Sequence, residues 1–214
     1  MNILQRYNYF LFDWDGCLAD TLSIWMDAYM YYYHQYGVKV TEDDVMSKSW
    51  GNWEKGPLNL GVKDNIGFIN KISKRVVERR LEVKLHEGVR EVLNKLFKSG
   101  RKMAIVSTSM RIQVIDPLKK LGLERFFPVV LCAEDVVNYK PHPEIVEKAM
   151  KKLGAENSET IIIGDSGSDV KAGKASYIKT AIFYPEINRR FYTKIDLKSL
   201  NPDYFITKFT DILG

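Results

Sequence analysis

Two carboxylates, one residue apart, follow a short apolar run near the start of the chain. Asp13 and Asp15 come directly after residues 9–12, and Gly16 follows them. On an extended backbone, side chains at positions i and i+2 leave on the same side. Carboxylates that close repel each other unless a cation or a shared proton separates them. The pattern fits a metal-ligand pair, an acid/base pair, or a nucleophile beside an acid. It also fits a solvated Asp-Gly turn.

Hydroxyl residues and a restrained lysine occur at two later positions. Ser107, Thr108 and Ser109 end an apolar run, where hydroxyl and backbone N–H groups can bind phosphate or simply begin a helix. Lys140 precedes Pro141, which restricts it to extended conformations. A lysine held there would balance the charge of nearby carboxylates, although a single lysine is more often solvated.

A second acidic pair follows a later apolar run. Asp165 comes directly after residues 160–164, as Asp13 does after the first run, and Asp169 lies four residues further on. If a helix begins here, Asp169 lies over its first turn beside Asp165. Such carboxylates suit a hard cation such as Mg²⁺, and they equally suit a helix cap.

The surrounding pattern predicts the elements that position these groups. Short β-rich runs alternate with helical patterns, which predicts a parallel sheet covered by helices on both faces. Binding sites in such sheets form beyond the carboxyl ends of the strands, so the polar groups are expected to meet there. The predicted strands are 9–12, 103–107, 128–132, 160–164, 180–184 and 203–206. The predicted helices between them include 88–98, 143–153 and 169–176.

Residues 17–86 break this alternation and predict a helical insert. Aromatic residues recur at helical spacing from 25 to 36, a Gly- and Trp-containing loop covers 49–61, and a charged helix is predicted near 64–84. We therefore predict a core of residues 1–16 and 87–214 and an inserted helical domain of residues 17–86. The aromatic stripe is interpreted as the packing core of that insert. It comprises Trp25, Tyr29, Tyr32 and Tyr36.

The composition limits the possible partners and compartment. The 32 basic and 27 acidic residues are interspersed, so the net charge of +5 predicts no nucleic-acid partner. No apolar run approaches the roughly 18 residues of a membrane helix, and residues 1–12 lack signal-peptide features. The two cysteines, Cys17 and Cys132, form neither a disulfide framework nor a metal-binding spacing. A cytoplasmic protein without a membrane partner is the expectation.

Taken in order, these groups resemble the haloacid dehalogenase superfamily over about residues 7–206. The segments that carry the resemblance are Asp13-Trp14-Asp15-Gly16, Ser107, Lys140-Pro141 and Gly164-Asp165-Ser166 with Asp169. An insert directly after the first segment is similar to the helical cap of the phosphoglycolate phosphatase and β-phosphoglucomutase subfamily. The resemblance implies an α/β fold, with a Rossmann-like parallel sheet core and an inserted α-helical cap.

The resemblance also implies roles for individual residues. Asp13 would be the nucleophile that forms an aspartyl-phosphate, and Asp15 the general acid and base. Mg²⁺ would be bound by Asp13, the backbone carbonyl of Asp15 and Asp165, with Asp169 binding it directly or supporting a ligand. Phosphate contacts are expected from Trp14, Gly16, Ser107, Thr108 and Lys140. Cys17 stands where the family usually has Thr or Val.

The expected function is Mg²⁺-dependent hydrolysis of a small phosphomonoester, such as phosphoglycolate or a sugar phosphate, by a monomer or homodimer. The expected partner is thus a small phosphorylated metabolite. Haloacid dehalogenases and phosphonate-cleaving relatives lack the second aspartate, so Asp15 favours phosphate-ester hydrolysis. The alternatives are a phosphomutase with the same residues, a receiver-type signalling domain, and a non-catalytic binding scaffold. Substrate selectivity, or else only surface or packing roles, is expected from Lys48, Asn52, Trp53 and Lys55 in the insert.

Overall fold

The chain forms two compact units in a computed structural model that describes residues 3–214. The core unit comprises the described residues up to Asp20 together with Val83–Gly214, and the helical unit is Thr21–Glu82. These limits fall four residues inside the predicted insert at each end. The reason is a two-stranded antiparallel ladder between residues 19–20 and 84–85, which belongs to the core unit.

Eight strands and ten α-helices make up the regular structure of the described residues. The strands are β1 (Tyr9–Phe12), β2 (Ala19–Asp20), β3 (Lys84–Leu85), β4 (Lys102–Val106), β5 (Val129–Leu131), β6 (Thr160–Gly164), β7 (Lys179–Phe183) and β8 (Tyr204–Ile206). The helices are α1 (Ile3–Arg6), α2 (Leu22–Gln35), α3 (Glu42–Lys48), α4 (Gly56–Asn59), α5 (Asn65–Arg79), α6 (Val89–Lys98), α7 (Arg111–Lys120), α8 (Glu144–Leu153), α9 (Gly167–Ala175) and α10 (Lys194–Ser199).

Six strands of the core unit form one parallel sheet in the order β5-β4-β1-β6-β7-β8. The central strands β1 and β6 are buried along almost their whole length, which explains why they read as continuous apolar runs rather than alternating ones. Helix α8 buries Ile145, Val146 and Ala149 against the β1, β4 and β5 side chains. The predicted Rossmann-like α/β fold is confirmed.

Aromatic side chains form the core of the helical unit. Phe68 on α5 lies with its ring centroid 4.6 Å from that of Tyr33, in the last turn of α2, and 5.3 Å from that of Tyr36, which directly follows α2. Tyr33 is completely buried, whereas Tyr32 is only half-buried. At this point Tyr33, rather than the predicted Tyr32, faces the packing core. Packing is therefore the role of these aromatic residues. Within residues 3–214, every helix is too short or too polar to cross a membrane.

Candidate active site

The strand register brings the predicted polar groups to one edge of the sheet. Phe12, the last residue of β1, pairs with Ile105 of β4 and Ile163 of β6. Asp13 continues this ladder, and its N–H donates to the Ile163 carbonyl at 2.9 Å. Ser107 and Asp165 follow β4 and β6 at the same level. This common edge is the carboxyl end of the parallel strands, where the sequence predicts a site.

Lys140 joins two of the carboxylates at this edge. Its Nζ atom donates to Oδ1 of Asp13 at 2.7 Å and to Oδ1 of Asp169 at 2.6 Å. Burial by itself lowers the pKa of Lys140, but the charges of Asp13 and Asp169 outweigh it and raise that pKa above its usual value. Lys140 is therefore a permanent cation between two acids, and its solvated-surface interpretation is wrong.

Asp169 serves both as a helix cap and as part of the cluster. Its Oδ2 accepts hydrogen bonds from the N–H of Ser166 at 3.2 Å and from its hydroxyl at 2.7 Å, at the start of α9. Its Oδ1 pairs with Lys140. Gly164 leaves room for this carboxyl, since a Cβ there would lie 2.1 Å from the Asp169 Cγ. The cap thus fixes Asp169 in position to pair with Lys140.

Three buried carboxylates form a group that fits a divalent cation. Oxygen atoms of Asp13, Asp165 and Asp169 lie within 4.8 Å of one another. Burial raises the pKa of Asp13 to about 7 and that of Asp165 well above its usual value, and mutual repulsion adds to both. The Asp165 Oδ2 atom is buried and has no hydrogen-bond partner among the described residues. Carboxylate oxygens with excess negative charge and one unpaired atom fit a hard cation such as Mg²⁺.

Asp15 lies at the rim of this group and contacts the Ser109 hydroxyl, which is not among the predicted site residues. Asp15 is half-buried, and its Oδ2 accepts a short hydrogen bond from the Ser109 hydroxyl. The Ser109 N–H donates to Oγ of Ser107 at 3.1 Å. Thr108, which was predicted to contact phosphate, has an exposed side chain. The hydroxyl run gave the only sequence signal for Ser109.

The arrangement of these residues agrees with the family to which the sequence is similar. Residues 10–183 match the family model of the haloacid dehalogenase-like hydrolases. The chain belongs to this family. Pyrophosphatase PpaX from Halalkalibacterium halodurans is 32% identical to it over 98% of this chain and 96% of the relative. The prediction of a haloacid dehalogenase-like enzyme of the phosphatase class is confirmed.

Solved structures of the family share the fold. A haloacid dehalogenase-like family protein from Streptococcus pneumoniae superposes with a TM-score of 0.83 at 20% identity, covering 98% of both chains. The protein CbbY from Rhodobacter sphaeroides, solved in complex with phosphate, superposes with a TM-score of 0.76 at 18% identity, covering 96% of both chains. These similarities concern the fold alone.

In this hydrolase a tight turn carries the segment after Asp13. Gly16 adopts a left-handed φ of 72°, and its N–H donates to the Ala19 carbonyl at 2.8 Å. The carbonyl of Gly16 accepts from Nδ2 of Asn188 at 2.8 Å, and Asn188 is buried. No local pattern predicts this contact, because 172 residues separate the two positions.

Trp14 and Cys17 pack beneath the same turn. The Trp14 side chain is completely buried, so its predicted contact with phosphate would have to come from its backbone. The Cys17 thiol donates weakly to the Ile163 carbonyl at 3.3 Å, and burial raises its pKa well above the usual value. Cys17 is therefore a packing residue that stays protonated, in the position where the family usually has Thr or Val.

Three of the four residues predicted to select the substrate have side-chain partners within the helical unit, and Lys55 takes part through its backbone N–H. Lys48 forms an exposed ion pair with Asp44 at 2.8 Å. Oδ1 of Asn52 accepts from the N–H of Lys55 at 3.1 Å, which closes a turn before α4. The ring of Trp53 packs 5.4 Å from that of Trp25. These contacts give Lys48, Asn52 and Trp53 local structural roles, and substrate selection stays a prediction.

Proposed function

We propose that this hydrolase is Mg²⁺-dependent and transfers a phosphoryl group from a small soluble phosphate compound to Asp13 and then to water. The main support for this proposal is the environment of Asp13. Its carboxylate is buried, bonded to Lys140 at 2.7 Å, and grouped with Asp165 and Asp169 within 4.8 Å. A buried, charge-compensated carboxylate is a suitable nucleophile, and the adjacent acidic group is a suitable cation site.

The proposed reaction has two steps, formation of an aspartyl-phosphate on Asp13 and its hydrolysis. In the first, an Asp13 oxygen bonds to phosphorus while the bond to the leaving oxygen breaks, and Asp15 gives that oxygen its proton. In the second, Asp15 takes a proton from water as the water oxygen bonds to phosphorus, and the bond to Asp13 breaks. Inorganic phosphate and the free enzyme result, so the cycle needs only water as a co-reactant.

The surrounding residues stabilise the charge that is transferred. Lys140 and the Ser107 hydroxyl face the phosphoryl oxygens in this scheme, together with N–H groups of the turn at Gly16. Mg²⁺ bound by Asp13, Asp165 and the carbonyl of Asp15 would supply further positive charge to those oxygens. Both Asp169 oxygens already accept hydrogen bonds. We therefore assign Asp169 the role of holding Lys140 in place, rather than that of a direct metal ligand.

Inorganic pyrophosphate is the first substrate candidate. The relative that is 32% identical over nearly the whole chain is named a pyrophosphatase. Pyrophosphate suits the proposed site because its leaving group is phosphate, which needs less protonation than a sugar alkoxide does. The phosphomonoesters predicted from sequence, phosphoglycolate and sugar phosphates, rank second. A phosphomutase would use the same residues but would return the phosphoryl group to the sugar.

A phosphate-release screen tests the proposal. The purified protein is assayed with pyrophosphate, phosphoglycolate, sugar phosphates and 4-nitrophenyl phosphate, with Mg²⁺ and with excess EDTA. We expect release only with Mg²⁺, loss of turnover in Asp13→Asn, and a trapped phospho-enzyme in the wild type. The matched control is Asp27→Asn, an exposed carboxylate of the helical unit. Turnover by Asp13→Asn, or full activity in EDTA, would overturn the proposal. Formation of an isomeric sugar phosphate without release of inorganic phosphate would indicate the mutase.

A further inference from the structure

Ser109 makes three hydrogen bonds that connect separate parts of the site. Its hydroxyl donates to Oδ2 of Asp15, and its N–H donates to Oγ of Ser107 at 3.1 Å. Its carbonyl accepts from the N–H of Ala133 at 3.0 Å. The Ser109 side chain is buried, and the hydrogen bond between its N–H and Ser107 is shielded from competing water. One residue therefore links the segment after β1 to the segments after β4 and β5.

The direction of each hydrogen bond has a chemical consequence. Because the Ser109 hydroxyl donates to Oδ2 of Asp15, it holds this carboxyl in one orientation. Because the N–H of Ser109 donates to the Ser107 oxygen, the hydroxyl hydrogen of Ser107 is left to point elsewhere as a donor. Ser109 thus orients the Asp15 carboxyl and makes Ser107 a hydrogen-bond donor.

We propose that Ser109 is a positioning residue that holds Asp15 for proton transfer to the leaving group. The inference rests on the function proposed above. When the bond between phosphorus and the leaving oxygen breaks, that oxygen takes the proton from the Asp15 carboxyl. The new negative charge on Asp15 is then stabilised by the hydrogen bond that Ser109 already donates, which strengthens as its acceptor becomes charged. Poor leaving groups need this proton most, so the effect of Ser109 depends on the leaving group.

A series of aryl phosphates with leaving groups of increasing acidity tests this dependence. We expect Ser109→Ala to lower kcat/KM for phenyl phosphate about 10- to 100-fold, the usual range for one hydrogen bond to a charged group. For 4-nitrophenyl phosphate, whose leaving group needs little protonation, the loss should stay below about threefold. Ser109→Thr should restore activity because it keeps the hydroxyl. Ser99→Ala, which removes the serine that bonds the Leu96 carbonyl, is the control.

Two further variants distinguish a failure of the Ser109 proposal from a failure of the proposed function. Asp15→Asn should show the same dependence on the leaving group with a larger amplitude, and Asp13→Asn should lose turnover of every ester. If both hold and Ser109→Ala loses the same factor for all esters, or loses nothing, then Ser109 is not a positioning residue. If Asp13→Asn stays active, the proposed function fails instead. Ser109→Cys keeps the shape with a weaker donor, and it replaces Ser109→Ala if that variant does not fold.

Discussion

The Nζ atom of Lys140 lies 2.7 Å from Oδ1 of Asp13, although 127 residues separate the two in sequence. Both side chains are removed from water, with exposed fractions of 2% and 10%. Burying a charge costs free energy unless a partner compensates it, so each of these residues makes the ionised form of the other tolerable. The pair therefore contributes to folding as well as to the proposed chemistry.

The first prediction removes the cation from this pair. Lys140→Met keeps much of the side-chain length but leaves Asp13 and Asp169 uncompensated. We expect kcat to fall about 10²- to 10³-fold, as when a transition-state donor is lost. The free energy of unfolding at about pH 8 in EDTA should fall by about 3 kcal/mol. The measurements are phosphate release and urea unfolding.

A surface lysine provides the control for that experiment. Lys179 pairs with Asp203 at 2.6 Å in an exposed position. Lys179→Met should leave kcat unchanged and cost less than about 1 kcal/mol. If the two lysine variants behaved alike, the buried pair would have no special role.

The second prediction concerns the metal. Asp165→Asn removes a buried carboxyl group whose pKa is raised well above its usual value by burial and by Asp13. Without metal, the variant should therefore be more stable than the wild type at neutral pH, by about 1 kcal/mol or more. It should nevertheless be inactive. Thermal unfolding with and without Mg²⁺ measures this, and Mg²⁺ should raise the Tm of the wild type but not that of Asp165→Asn.

Asp203→Asn is the matched control for the metal prediction. Asp203 accepts from Lys179 and Thr180 at the edge of the sheet, away from the three-carboxylate group. This variant should lose stability and still respond to Mg²⁺. An Asp165→Asn protein that Mg²⁺ stabilises as strongly as the wild type would contradict the assignment of Asp165 as a ligand.

The third prediction is a pH dependence that arises from His86. Burial lowers the pKa of His86, against the opposing effects of Asp20 and a hydrogen bond to the Gly16 backbone. The unfolded chain then binds a proton more readily than the folded one, so stability is retained above about pH 6.5 and falls as the pH decreases. His86→Gln cannot take up this proton. Its unfolding free energy should fall less steeply between about pH 7.5 and 5.5.

The exposed His34 on α2 serves as the control for this titration. His34→Gln should keep the wild-type slope of unfolding free energy against pH. If His86→Gln also kept that slope, the burial of His86 would not control the acid sensitivity.

The fourth prediction concerns the turn after Asp13. Asn188→Ala removes the donor to the Gly16 carbonyl at 2.8 Å and should cost about 1 kcal/mol of unfolding free energy. Since the turn carries Asp15 and directly follows Asp13, we expect a similar loss of kcat for every substrate. This uniform loss distinguishes Asn188 from Ser109 in the aryl phosphate series. A selective loss for poor leaving groups would show that Asn188 acts through Asp15 alone.

The sequence predicted the strand ends because each one combines an apolar run with a charged or hydroxyl residue. Asp13, Ser107 and Asp165 are found at the common edge for that reason. In a parallel sheet, buried strands and a shared carboxyl end leave few alternatives for such residues. Local patterns therefore gave the positions of these three residues, whereas their roles came from the family resemblance.

Contacts between distant segments were beyond the reach of those patterns. Asn188 lies in a 3₁₀ turn after β7, and its side chain reaches Gly16 only because β7 and β1 are in the same sheet. Ser109 carried the same signal as its neighbours, and only the fold shows that it, rather than Thr108, is buried beside Asp15. The predicted limits of the helical unit differ from the observed ones because β2 and β3 are too short to show a strand pattern in the sequence.

The last prediction separates packing from substrate selection in the helical unit. Trp53→Ala removes ring contacts to Trp25 at 5.4 Å and to Tyr29 at 5.8 Å, so it should lower the Tm measurably. Lys48→Ala removes only an exposed pair with Asp44 and should change the unfolding free energy by less than about 0.5 kcal/mol. Both variants are then assayed with pyrophosphate, a sugar phosphate and 4-nitrophenyl phosphate. If either one reorders kcat/KM between pyrophosphate and the sugar phosphate while 4-nitrophenyl phosphate is unaffected, that residue selects the substrate. A lower Tm in Trp53→Ala with an unchanged order would make Trp53 a packing residue only.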